Sequence, residues 1–229
     1  MPPSRSNNPS ISTLSENCLL IQFDNVMSEE VHRKVMELCK SFSESPLPFL
    51  NDIVPSYSSI ALLFDSLNYP TSLISHEDLI ESVRERCQSL GKRSQKKETE
   101  RLIKVRVRFG GAFGKDLREM AKTKGITEPK FIDLFCEEIY KVFMIGFRPG
   151  FPYMGTVPGQ LSAERLPTPR AVVPAGSVGI AGRQTGIYPM DSPGGWRIIG
   201  RTDLNLLDIG NGDNPTYFHP GDSVKFEAI

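Results

Sequence analysis

The stretch Val172–Thr202, VVPAGSVGIAGRQTGIYPMDSPGGWRIIGRT, holds seven glycines, three prolines and the chain's only tryptophan, Trp196, in thirty-one residues. Its apolar runs, SVGIAG and WRIIG, are of strand length, and Gly/Pro punctuation separates them. The same rhythm holds outward from it, in YKVFMIGF before and SVKFEAI after. From Tyr140 onward no helical period emerges. Many short strands joined by turn residues predict a closed or nearly closed β-barrel.

Toward the N-terminus, LIKVRVRFG alternates Ile103, Val105, Val107 and Phe109 with Lys104, Arg106 and Arg108, the pattern of a strand with one charged face. Two short helices follow. KDLREMAKTKG buries Leu117, Met120 and Ala121 and stops at Gly125. TEPKFIDLFCEE is capped by Thr127, tolerates Pro129 in its first turn, and turns Phe131, Leu134 and Phe135 inward. Before them, the mixed-charge run GKRSQKKETER (Gly91–Arg101) reads as a solvated linker.

The first half reads as a separate α+β unit. CLLIQFD is a strand. SEEVHRKVMELCKSF is a helix with Ser28 as N-cap and Val31, Val35, Leu38 and Phe42 on one face. Strands around FLNDIV and YSSIALLFD follow, with Pro55 at the turn. A second helix, capped by Ser75 and ended by Gly91, completes the series. This βαββα order predicts a two-layer, ferredoxin-like sandwich completed by a later strand. The expected organisation is a flexible polar leader over 1–17, an α+β domain over 18–95 and a β-barrel domain over 96–229.

Composition narrows the function. Lys+Arg and Asp+Glu are both 27, so the net charge is zero and gives no electrostatic case for nucleic acid or an anionic membrane. No apolar run approaches the ~20 residues of a membrane span, and the N-terminus lacks a secretory signal's apolar core, so the expected location is the cytoplasm. Cys18, Cys39, Cys87 and Cys136 are far apart, and neither they nor His32, His76 and His219 sit at metal-ligand spacing. No metal ligand set is expected.

Familiar catalytic signals are missing. GGAFGKD (Gly110–Asp116) has three residues between its outer glycines where a phosphate loop has four, and Asp116 stands where Ser/Thr would hold Mg²⁺. Ser177 in AGSVG has no histidine marked as its base. Two Gly/Pro-rich blocks remain, Ile145–Gly155 and the opening stretch. They read either as ordinary barrel turns or as a rigid, side-chain-poor surface that another molecule approaches closely. In the second case Phe147, Phe151, Tyr153, Tyr188 and Trp196 are candidate walls. Ser177, Gln184 and Thr185 supply neutral polar groups suited to a planar amide or lactam, and Arg170, Arg183, Arg197 and Arg201 could grip a carboxylate or phosphate.

GFRPGFPYMG, LPTPRAVVPAGSVGIAGRQTGIYP, SPGGWRIIGRT and HPGDSVKF, with VPSYSSIALLFD and VRFGGAFGKDLREMA in the first half, resemble in order the segments of the allophanate hydrolase subunit 1 family. That family includes the B subunit of bacterial 5-oxoprolinase, the Kip inhibitor of a sporulation histidine kinase, and one half of the urea carboxylase carboxyltransferase domain. The resemblance implies an α+β domain followed by a cyclophilin-like β-barrel. It implies a subunit, inactive alone, that opens 5-oxoproline to glutamate with ATP held somewhere in the complex. Its partners would be an allophanate hydrolase subunit 2-like protein (the C subunit of 5-oxoprolinase) and the A subunit of 5-oxoprolinase. The alternatives are an inhibitor bound to a histidine kinase and a carboxyltransferase half of a urea carboxylase/allophanate system. Motif identity assigns ligand contacts to Pro174, Ala175, Gly176, Ser177, Thr185 and Tyr188, an anion grip to Arg170, and catalytic roles to Gln184, Arg201 and Asp191. The chain departs from the family pattern at Phe135, Ala112, Lys115 and Arg183: either these alter the shared site, or Phe135 simply fills core.

Overall fold

The computed structural model describes residues 9–65, 76–90, 101–212 and 214–229. The chain divides into two compact units between Glu98 and Thr99. The expected boundary at 95/96, most of the charged run, Ser75 and Gly91 lie outside the described residues.

The first unit contains β1 (Ser10–Ser15), β2 (Cys18–Gln22), α1 (Glu29–Glu44), β3 (Leu50–Pro55), β4 (Ser59–Phe64) and α2 (His76–Gln88). Its sheet has the order β1-β2-β4-β3, antiparallel throughout. Leu19 pairs with Leu62 and Ile21 with Ile60, so alternation sends both pairs to the face that α1 covers. The Ser28 hydroxyl caps α1 by accepting from the Val31 N–H at 3.2 Å. Val35, Leu38 and Phe42 are sealed beneath the helix, each contributing about 1.5–3 kcal/mol of burial.

Two expectations are corrected here. Residues 10–15, read as leader, form β1, because the alternation of SISTLS suits an edge strand: Ile11 packs on the core opposite Ile21 while the hydroxyl residues stay exposed. The sheet's fourth strand therefore precedes the βαββα series instead of following it.

The second unit contains β5 (Leu102–Phe109), α3 (Leu117–Thr123), α4 (Glu128–Glu137), β6 (Tyr140–Ile145), β7 (Pro152–Gly155), β8 (Arg170–Val173), β9 (Ser177–Ala181), β10 (Gln184–Ile187), β11 (Ser192–Gly194), β12 (Arg197–Arg201) and β13 (Ser223–Ala228). Seven strands close a barrel in the order β10-β7-β6-β13-β5-β12-β9, and the β9–β10 hairpin completes the ring. This is the cyclophilin-like barrel that the resemblance implies. The parallel β5–β13 pair, Leu102 with Ser223 through Val107 with Ala228, sends Ile103, Val105, Val107, Val224 and Phe226 into one core. Thr127 caps α4 by accepting from the Lys130 N–H. Phe135 is fully buried, 5.0 Å from both Tyr140 and Phe226. It fills core.

β8 and β11 stand outside the ring as a two-stranded ribbon. They have a small core of their own, in which Val173 joins Phe151, Tyr188, Trp196 and Ile198.

Candidate functional site

The glycines of the opening stretch are approached closely, but by the chain's own rings. A Cβ on Gly186 would lie 2.8 Å from Phe151, and one on Gly194 would overlap the Tyr188 hydroxyl. Bare backbone at these points lets the aromatic rings lie against the ribbon and the outside of the barrel. Phe151 then meets Tyr188 at 5.2 Å and Trp196 at 5.4 Å, both edge to face, and Tyr153 meets Trp196 at 5.7 Å. Such pairs contribute about 0.5–1.5 kcal/mol each beyond their burial.

The candidate walls are thereby brought together, yet most are sealed. Tyr188 is 1% exposed, and burial raises its phenol above the ordinary range despite the hydrogen bond with the Trp196 backbone. Thr185 is fully buried and donates its hydroxyl to Gly179 O at 2.9 Å. Ser177 is 2% exposed. All three are buried: Thr185 joins the barrel interior, and the aromatic layer beneath the ribbon takes up Tyr188. Gln184 opens β10 half-buried, paired with Gly155 and Ala181. Of the five candidate wall aromatics, Phe147 alone stands well out, 57% exposed, with a left-handed φ of 65° and its ring 5.6 Å from Phe151.

The remaining candidates converge on one loop. Pro174 is exposed, Ala175 half-buried and Gly176 buried. Gly176 has φ +79° and donates to Tyr188 O at 2.7 Å, which folds the loop back on the barrel. Ala175 is held at both polar groups: its N–H donates to Asp191 Oδ1 at 2.8 Å, and its carbonyl accepts from Arg201 Nε at 2.8 Å. An exposed carboxylate and a half-buried guanidinium thus flank one residue.

Arg170, the expected anion grip, is paired within the chain. Its two Nη atoms donate to both oxygens of Asp116, at 2.7 and 3.0 Å. Asp116, 4% exposed, also accepts from the Ile198 N–H at 2.6 Å and returns its own N–H to Ile198 O at 2.9 Å. In the sequence Asp116 shows only as the residue that spoils a phosphate loop. Its real signal is the turn GGAFGKD, which closes through Gly110 N–H to Ile199 O and sets the carboxylate against β12. Arg183 and Arg197 are likewise engaged, with Val157 O and with Glu119. Ala112 and Lys115 are exposed. A surface cleft of about 390 Å³ beside α3 is lined by Glu119, Lys124, Glu164 and Arg197 and contains none of the loop residues. Among the described residues no cluster of three or more His, Cys, Asp or Glu is placed to hold a metal.

Residues 9–218 match the model of the carboxyltransferase domain, subdomain C and D. The chain belongs to this family. Among carboxyltransferase C/D proteins it is 34% identical to the B subunit of 5-oxoprolinase from Bacillus subtilis strain 168, over 96% of this chain and 92% of that one. It is 36% identical to the B subunit of 5-oxoprolinase from Escherichia coli O157:H7, over 93% of each. The solved structure of TTHA0988 superposes with a TM-score of 0.76 at 32% identity, covering 93% of this chain. The chain spans 40% of the length of TTHA0988, so this carboxyltransferase C/D unit also occurs as part of a longer polypeptide.

Proposed function

We propose that this chain is the B subunit of an ATP-dependent 5-oxoprolinase, acting with C- and A-type subunits in the cytoplasm and inactive by itself. The observation that carries the reading is its similarity, over more than nine-tenths of both chains, to two proteins named as 5-oxoprolinase B subunits. The loop geometry supports it. A lactam carbonyl is a poor electrophile, so hydrolysis coupled to ATP needs positioned cations and hydrogen-bond groups more than a nucleophile. Arg201 and Asp191 about Ala175 supply groups of that kind, and Gln184 is the candidate polar group on β10. Lactam opening breaks the ring C–N bond: water adds its oxygen to the carbonyl carbon, and the nitrogen leaves as the amine of glutamate.

The test is co-expression of the three subunits, purification of the complex and measurement of glutamate released from 5-oxoproline with ATP. Turnover by the full set and none by this chain alone is expected; a complete complex that releases no glutamate overturns the reading. A second reading, inhibition of a histidine kinase, is favoured by Phe147, an exposed ring in a left-handed turn with the Arg148 guanidinium over it. Its test is kinase autophosphorylation at saturating protein, where no inhibition counts against it.

A further inference from the structure

The cleft of about 390 Å³ beside α3 has no part in the function proposed above, and its volume lies within the roughly 300–1,000 Å³ of small-ligand sites. Its lining gathers two charges of each sign: Glu119 from α3, Lys124 from the helix C-cap, Glu164 from the segment before β8, and Arg197 from β12. Arg197 is poorly satisfied for a cation so far out of water. Its side chain is only 20% exposed, yet it meets Glu119 Oε1 at 3.3 Å and donates from Nε to Glu164 O at 3.4 Å. Both contacts are longer than the roughly 2.7–2.9 Å of a charge-assisted hydrogen bond. Its other N–H donors have no partner among the described residues. The Glu119 side chain that reaches it is 68% exposed, so the contact is a surface latch that another carboxylate can displace. Among the described residues the Glu164 carboxylate and the Lys124 ammonium form no hydrogen bond or ion pair. Ala163 and Gly182 close the wall with backbone: the Gly182 N–H donates to Ala163 O at 2.6 Å, and a Cβ on Gly182 would meet nothing within 4 Å.

We infer that this cleft binds a free α-amino acid as its zwitterion: the Nη edge of Arg197 receives the carboxylate, displacing Glu119, and the Glu164 carboxylate receives the ammonium. The charges on the lining sum to zero. A net anion or a net cation entering the cleft therefore meets as much repulsion as attraction, whereas a dipolar ligand satisfies both signs. Arg197 already touches the Glu164 carbonyl, so the two recognising residues are neighbours in space, as the two charged groups of an α-amino acid are neighbours in the ligand. A guanidinium takes a carboxylate through two parallel N–H···O bonds, a geometry that the single Glu119 contact leaves unused. The site shares no residue with the Ala175 loop and does not depend on the 5-oxoprolinase reading.

The experiment titrates the full chain with three probes on one carbon framework, followed by two-dimensional amide NMR: L-alanine, propionate, which lacks the ammonium, and ethylamine, which lacks the carboxylate. L-Alanine should give saturable shifts of the Lys124, Ala163 and Gly182 amides. Each of the other probes should bind about tenfold more weakly or worse, the loss of one charge-assisted contact. Arg197→Gln should weaken L-alanine binding about 10-fold or more and leave ethylamine within about threefold. Glu164→Gln should weaken L-alanine and leave propionate within about threefold. Glu119→Gln should tighten L-alanine binding, because the latch on Arg197 is gone. Should Arg197→Gln fail to fold, Gly182→Asn keeps a left-handed backbone that asparagine tolerates and fills the open space there; the L-alanine shifts at Lys124 and Ala163 should then vanish. No saturable shift with L-alanine, propionate or ethylamine binding as tightly as L-alanine, undiminished binding in Arg197→Gln, or weaker binding in Glu119→Gln would each overturn the inference.

Discussion

Gly176 shows how a single residue can set the path of a loop. Its φ of +79° is costly for any side chain, and a Cβ there would overlap the Thr202 carbonyl, a backbone atom that cannot swing aside. Gly182 also has a positive φ, +58°, but nothing lies within 4 Å of its missing Cβ. The pair separates conformational strain from steric overlap. Gly182→Ala is expected to cost about 1 kcal/mol, the backbone term alone. Gly176→Ala should cost about 3 kcal/mol or more. Urea denaturation of both variants checks this; equal losses would mean that the Thr202 contact is relieved by backbone movement. The same residue-scale view explains why Tyr188 and Thr185, candidate site residues in the sequence, are buried. Glycine reports only that something approaches, and here the visitors to Gly186 and Gly194 are Phe151 and Tyr188.

At the scale of elements, an ion pair ties the β8–β11 ribbon to the turn before α3. The ribbon lies outside the barrel's hydrogen-bonded ring, and Arg170, its first residue, pairs with Asp116 in that turn. Asp116→Ala would strand the Ile198 N–H as well as Arg170, whose side chain is only 29% exposed. The expected loss is about 2–3 kcal/mol, with Arg170→Met milder because it removes the cation and can pack. Denaturation midpoints of the two variants test the order, and a costlier Arg170→Met would contradict it. Elements governed by local periodicity are legible in the sequence: β5 by strict alternation, α1 and α4 by their caps and apolar stripes, the barrel by strands between turns. The Asp116–Arg170 tie is not, since fifty-four residues separate its partners and only the folded barrel brings them together. β1 escapes notice because serine and threonine make a strand resemble a tail, and its register with β2 depends on Ile11 alone among well-packed residues.

At the scale of the whole molecule, the two larger hydrophobic cores share no residue. One gathers Leu19, Leu38, Phe42, Ile60 and Val83; the other gathers Val105, Phe135, Met154, Ile180 and Phe226. Cys39 and Cys87 lie in the first core, and Cys136, partly buried, packs against the second. Burial pushes Cys39 up to about 12, and Cys87 and Cys136 up to about 11, from 9.0. The folded chain therefore keeps protons that the unfolded chain releases between about pH 9 and 12, and stability should fall as pH rises through that window, with no contribution from these groups below it. Urea midpoints should hold from pH 7 to 8.5 and drop by pH 10, and the drop should be shallower in Cys39→Ala/Cys87→Ala; identical slopes would remove the thiols as the cause. Separate cores also imply separable folding. The barrel unit closes its own ring, and both helices that cover it, α3 and α4, lie within its span. A fragment of residues 99–229 should accordingly unfold cooperatively and give dispersed amide resonances in two-dimensional NMR, with Phe135 and Phe226 ring-shifting their neighbours as in the full chain. A collapsed, undispersed fragment would mean that the barrel needs the first unit to reach its fold.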